Sequence, residues 1–265
     1  MKIEHPDELN LQELEGLYLW KYLDLFKLID LITTGEIYFQ RFDKFEDGLE
    51  GLTGKAVSLM AFTQGAPLNK ENINKTFSPE DQERIISDDH NRREELKRSI
   101  DQSQKTQFAS CWFLDDRESL SMWKIYSKSD GIALKFKAKE LTETIIASAE
   151  NYTNSDFHVL YYGKVDYKNI WPFDPHERFD GKFNGLKKDR SYSSENEFRF
   201  VSVIPLDKIE KHNFFRLPIG TLSEFDIEII TNPFMDSWKI QGLKKLLEKY
   251  GLSEKMRESK MKIKK

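Results

Sequence analysis

Residues 196–231 carry three strand-length apolar runs in close succession, NEFRFVSVIP, NFFRLPI and DIEIIT. Parallel neighbours need a crossover of about a dozen residues or more, usually a helix, and these connections leave no room for one. The spacing therefore predicts an antiparallel or mixed sheet, not a doubly wound one. The same signals occur upstream. GLYLWKYL (16–23) and EIYFQRF read as strands on either side of a short helix, DLFKLIDLITTG. That helix has Leu25, Leu28, Ile29 and Ile32 on one face and Gly35 at its C-cap. Further strands are expected at QFASCWFL and GIALKFK, with one longer strand at FHVLYYGKVDY. Helical patterns mark SLSMWKIY (119–126), AKELTETIIASA and DSWKIQGLKKLLEKYG. The fold class expected is α+β, with a mixed or mostly antiparallel central sheet and flanking helices, in one domain over residues 1–265.

Two stretches stand outside that pattern. Residues 56–104 turn helical and highly charged, with Ser78 as N-cap and Pro79 at the first helical position, so they read as a helical insert or lid. The last stretch, 252–265, is basic. Two acids interrupt it, so it reads as a solvated tail and not as a nucleic-acid arm. Ahead of the first strand lies a polar leader. An irregular aromatic loop is expected around IWPFDPHERF, serving as a core corner or a docking patch.

Charge and composition narrow the function classes. A net charge of −4, from 45 acids and 41 bases, supplies no global basic field for nucleic acid, so such binding is possible but not indicated. No apolar run is long enough for a membrane span or has the form of a signal peptide, and a cytoplasmic protein is expected. Cys111 stands alone. The five His residues, at 5, 90, 158, 176 and 212, show no paired spacing, so no zinc site is expected. GLEGLTGK lacks the glycine and the Ser or Thr of a phosphate loop. No GxSxG or GxGxxG occurs either.

The carboxylates in SSENEFRF carry more information. If the strand begins by Glu195, then Glu195, Glu197 and Arg199 share a face, with successive members about 6.6 Å apart, and the two acids can address one ligand. The competing reading is a solvated Glu, Glu, Arg row opposite a buried Phe198, Phe200 row. Trp123 and Tyr126, at helical i, i+3 spacing, can wall a flat ring or anchor their helix to the sheet. In WKY, Trp20 and Tyr22 alternate with Lys21, and either set can line a pocket.

Several motifs in order, LWKYL, LIDLITTGEIYFQRFDKFEDGLEG, FASCWFLDDRESLSMWKIYSKSDGIALKF, VDY, ENEFRFV and IEIITNPFMDSWKIQGLKKLL, resemble the bacterial domain-of-unknown-function family two-nine-seven-one. The resemblance spans most of the chain outside 56–104, with Met122, Trp123, Tyr126, Glu195, Glu197 and Arg199 on its motifs. The loop FDKFEDGLE departs from the family pattern by lacking its Asn and Pro, which weakens any role carried to Asp43 and Glu46. More distantly, Glu-x-Glu opening an apolar strand that ends in Pro is similar to the catalytic strand of ADP-ribosyltransferases.

That likeness implies an ADP-ribosyltransferase or NAD glycohydrolase with NAD as co-substrate, acting as a toxin or phage-defence effector on a macromolecular target it does not name. It implies that Glu197 stabilises the oxocarbenium-like ribosyl cation and that Glu195 orients or deprotonates the acceptor. Tyr126 or Trp123 would hold nicotinamide, and Lys21, Tyr22 and Ser110 the ribose or phosphates. Lys21 stands where such enzymes often have His or Arg, and the substitution is not conservative in geometry. Two alternatives remain open. One is a metal-dependent hydrolase or nuclease using Asp43, Glu46, Asp47 and Glu195 around a divalent cation such as Mg²⁺. The other is a module that binds a small molecule or protein without turnover.

Overall fold

A computed structural model describes residues 1–64, 70–127, 129–170 and 182–261. The expected aromatic loop lies outside the described residues from residue 171 onward, as do the last four residues of the tail. The strands are β1 (Lys2–Glu4), β2 (Tyr18–Leu23), β3 (Glu36–Arg41), β4 (Gln107–Asp115), β5 (Ile132–Lys137), β6 (Val159–Lys164), β7 (Asp166–Lys168), β8 (Lys187–Asp189), β9 (Glu197–Val203), β10 (Phe214–Pro218), β11 (Ile227–Thr231) and β12 (Met256–Glu258). The helices are α1 (Leu25–Thr34), α2 (Gly54–Gln64), α3 (Lys70–Thr76), α4 (Pro79–Lys105), α5 (Leu120–Met122), α6 (Ala138–Glu150) and α7 (Ser237–Glu248).

Among the described residues ten strands form one mixed sheet in the order β1-β6-β9-β4-β2-β5-β11-β12, and β3 and β10 branch from β4. The central pairings are antiparallel, as the short connections require. Among the described residues only the outer pairs β1–β6 and β11–β12 are parallel within this sheet. β2 meets β4 at Trp20↔Phe113, and β3 meets it at Gln40↔Ala109, so the two strands hold opposite ends of one edge of β4. Where β2 swings away, Lys21 fills the gap. Its ammonium donates to the Cys111 carbonyl at 2.7 Å and to Ser110 Oγ at 3.3 Å. Burial lowers the Lys21 amine to about 8.

Strand alternation gives the sheet two different faces. One holds the main core, including Phe39, Phe108, Trp112, Phe198, Phe200 and Phe215, covered by α1, α6 and α7 through Leu28, Leu31, Leu141, Ile145, Leu243 and Leu247. The other carries two smaller apolar clusters, one around Trp20, Tyr22, Phe113 and Trp123 and one around Phe42, Ala109, Tyr161 and Val201. A third cluster, with Val57, Met60, Leu96 and Ile100, joins α2 to α4. The candidate site lies on this second face.

Local signals hold at most element ends. Asp24 caps α1, and Gly35 closes it in the left-handed conformation at φ 66°. Ser78 accepts the Asp81 N–H, and Pro79 opens α4, as the sequence predicts. Among the described residues the stretch expected to be helical carries α2, α3 and α4, from Gly54 to Lys105.

Five expectations need correction. The buried line of α1 runs through Leu28 and Leu31, leaving Leu25 exposed. The segment around SLSMWKIY is not one regular helix, because α5 passes at Trp123 into a wide π-turn over Trp123–Ser127. The long strand in FHVLYYGKVDY breaks at Val165. Its N–H makes the last link to Glu197 O, after which β7 leaves to pair with β8. The polar leader and the basic tail each supply a three-residue edge strand, β1 and β12, which backbone pairing holds without an apolar pattern.

Candidate active site

β9 runs between β6 and β4 and places Phe198 and Phe200 in the main core and Glu197 and Arg199 on the second face. The alternation is as expected, but that row is not solvated. Glu197 is 4% exposed and Arg199 fully buried. A buried charge persists only when paired. The guanidinium grips Glu197 with two bonds, Nε to Oε2 at 2.7 Å and Nη2 to Oε1 at 2.8 Å. It also reaches Glu50 at 2.7 Å and donates to the Gly185 carbonyl at 3.0 Å.

Lys188, on β8, completes the group. Its ammonium stands between three carboxylates, Glu50 at 3.0 Å, Glu195 at 2.9 Å and Glu197 at 2.9 Å, under the ring of Tyr192. Burial works against this charge, but Glu197 and Glu50 outweigh it and hold the amine protonated.

Glu195 reaches the group by a route the sequence does not announce. It ends a 3₁₀ turn, not a strand, and Asn196 then takes the left-handed conformation at φ 38°. The Asn196 side chain donates to the Leu114 carbonyl, while its own carbonyl accepts the Leu114 N–H at 2.9 Å. This kink turns the Glu195 carboxyl onto Lys188 beside Glu197. Tyr126, from the π-turn, donates its hydroxyl to Glu195 Oε2 at 3.0 Å. Tyr167 accepts the backbone N–H of Glu197 at 2.9 Å.

The two acids differ in proton affinity. Glu195 is raised above the ordinary carboxyl value by burial and by its hydrogen bond with Glu197, against the pull of Lys188. For Glu197 burial acts in the same direction, but Arg199 and Lys188 overcome it and hold the group well below the usual carboxylate range. Three acids face two bases in this cluster, so one proton on Glu195 leaves it neutral. Two titratable groups whose affinities are pushed apart form an acid–base pair in outline. Glu195 is also buried, at 6% exposure, but it is hydrogen-bonded to Tyr126, whose ring is half-exposed.

The structure brings together Glu195, Glu197, Arg199 and Tyr126 from the expected set. Tyr22 and Trp123 lie on the same face but pack edge to face with each other at 4.9 Å, and Trp123 is 1% exposed, so it offers no ring to a ligand. Its indole N–H is spent on Glu118. Lys21 and Ser110 are not brought to the group. They point to the opposite face, because Lys21 stands level with Trp112 and Ser110 pairs with Phe200. Asp43 is bound by Arg41 at 2.7 and 2.9 Å, Glu46 is exposed, and Asp47 accepts the Leu49 N–H, so these three do not gather with Glu195. The place between the carboxylates is taken by the Lys188 ammonium. Among the described residues no group of His, Cys, Asp and Glu is arranged to hold a metal.

Sequence reasoning missed Glu50, Lys188 and Gly185. Glu50 is delivered by a turn at Gly51, which has φ 71° and packs so closely on Phe42 that a Cβ would lie 2.9 Å from its ring. Gln104, near the end of α4, donates to the carbonyls of Gly48 and Glu50. Gln107 donates to Gly51 O and accepts from Tyr161, whose hydroxyl also receives the Gly185 N–H. Only the glycines flanking Glu50 hinted at this. A groove of about 470 Å³ lies elsewhere on the same face, lined by Trp20, Lys135, Glu228 and the tail residue Met261. Comparisons with protein-family models, curated proteins and solved structures find no match to this chain.

Proposed function

We propose that the chain cleaves the bond between nicotinamide and ribose in NAD, as an ADP-ribosyltransferase or an NAD glycohydrolase, with Glu195 as the carboxyl that meets substrate. The observation that supports this reading is the pair itself. Two carboxyl groups next to each other on one ammonium differ in proton affinity, and the one with the higher affinity, itself buried, is hydrogen-bonded to the half-exposed Tyr126. Nicotinamide leaves with the bonding electrons, and water or a macromolecular nucleophile adds to the ribosyl carbon. The proton released by that nucleophile passes to Glu195 in its ionised form, since a base of raised affinity is better matched to neutral pH. Glu197 stays ionised behind it and sets that affinity. Glu195 thereby keeps the acceptor-deprotonating role expected of it, while Glu197, held by Arg199 and Lys188, acts through its neighbour. Tyr126, 43% exposed, forms the wall against which a flat ring can lie.

The test is incubation of wild type and Glu195→Gln with labelled NAD and cell extract, following nicotinamide release and label transfer. Release by wild type and its loss in the variant support the reading, and transfer distinguishes a macromolecular acceptor from water. A second reading, a binding module without turnover, has one observation in its favour. Glu197, Arg199 and Lys188 are saturated with protein partners. Binding of NAD with no nicotinamide release would select it.

A further inference from the structure

We infer that Glu50 is a positioning residue for the Glu195–Glu197 pair, and that the helical insert, through Gln104, holds it in place. The inference rests on the reading of Glu195 as the reacting group, but its geometry is independent of the substrate. Glu50 touches both cations, Lys188 at 3.0 Å and Arg199 at 2.7 Å, as Glu197 does, but unlike Glu197 it comes from neither β8 nor β9. It therefore sets how much of each positive charge is left for the pair. Its backbone is clamped by the Gln104 side chain, which donates to Gly48 O at 2.9 Å and to Glu50 O at 3.1 Å. The next turn is tied by Gln107 to Gly51 O at 2.9 Å, and Thr53 N–H donates to Ser103 Oγ at 3.4 Å. Each partner sits at the end of α4 or just beyond it. The insert is thus wired into the site's electrostatics.

The groups facing Glu195 are Lys188 from β8, Glu197 from β9 and the Tyr126 hydroxyl from the π-turn. Behind them stand Arg199 on β9, Glu50 and Asp47 in the loop FDKFEDGLE, and Tyr192 on the 3₁₀ turn. Removing the charge of Glu50 leaves Lys188 to two carboxylates in place of three, and the proton on Glu195 is held less tightly. Glu50 and Glu195 both touch one ammonium. At that range two like charges in a partly screened interior interact strongly enough to move an affinity about tenfold.

The experiment is a carbon-13 titration of the glutamate side-chain carboxyls, with Glu195 assigned by its absence in Glu195→Gln. It uses the full chain and no substrate, so a protein inert toward NAD still returns an answer. Glu50→Gln is expected to lower the proton affinity of Glu195 about tenfold, and Glu50→Asp to restore part of that shift. An unmoved Glu195 titration in a folded Glu50→Gln overturns the inference. If that variant does not fold, Gln104→Ala, which leaves every charge in place, carries the test. A shift of the Glu195 titration supports the inference, and a titration identical to wild type refutes it.

Discussion

Replacing Arg199 with Met tests the buried cluster at its centre. The substitution keeps an unbranched chain of similar length under Phe42 but removes the guanidinium that binds Glu197 twice, Glu50 once and the Gly185 carbonyl. Glu197 and Glu50 remain in a site where neither can reach water, with Lys188 alone to neutralise them. Breaking a buried ion pair by removing one partner costs about 3–5 kcal/mol, a large part of the 5–15 kcal/mol that holds a typical domain. The loss should depend on pH. In wild type Glu197 has a depressed affinity, so its contribution is complete above the ordinary carboxyl value near 4.5 and is lost as pH falls below it. In the variant only Lys188 remains to depress Glu197, which takes up a proton at higher pH in the native state, so acid harms the variant less. Urea unfolding followed by tryptophan fluorescence at pH 7 and pH 4 measures both effects. The expected result is a gap of about 3–5 kcal/mol at pH 7 that narrows at pH 4. A gap below about 1 kcal/mol, or one that does not change with pH, would refute the reasoning.

Three further outcomes follow from the same geometry. Gly185→Ala places a Cβ 2.6 Å from the Tyr161 hydroxyl and 2.9 Å from Phe42, so thermal melts should show a loss of about 1–3 kcal/mol. Asn196→Ala gives up a donor to Leu114 O and strains a left-handed residue. Asn196→Gly relieves the strain alone, so denaturant titrations should rank wild type first, Gly second and Ala last. Tyr126→Phe removes a donor to the ionised form of Glu195, and its proton affinity should rise about threefold to tenfold, read from the same carboxyl titration.

Much of the sheet was legible because its evidence is local. Phe198 and Phe200 alternate with Glu197 and Arg199 over a period of two, and Ser78-Pro79 and Gly35 mark helix ends by backbone chemistry that neighbours do not override. The edge strands β1 and β12 were illegible, since three residues held by backbone bonds need no apolar pattern. Within the site, Glu195 and Glu197 were found by spacing, although the geometry assumed for them was wrong. The Asn196 kink, not a continuous strand, brings Glu195 in. Lys21 and Ser110 were misplaced because the face of a strand residue is known only once the register across β2, β4 and β9 is fixed. Glu50 and Lys188 look like surface residues in sequence. Glu50 is buried with its charge paired by Lys188 and Arg199 from a distant segment, and Lys188 with its charge paired by Glu50, Glu195 and Glu197.

The most direct measurement of the central claim is the initial rate of nicotinamide release from NAD by wild type, Glu195→Gln and Glu197→Gln at neutral pH, each first shown to be folded by circular dichroism. Release by wild type and its near-complete loss in Glu195→Gln are expected. Wild-type release that persists in Glu195→Gln but vanishes in a folded Glu197→Gln would contradict the assignment. Absence of release by wild type, with cell extract supplied as a source of acceptors, would contradict the reaction itself.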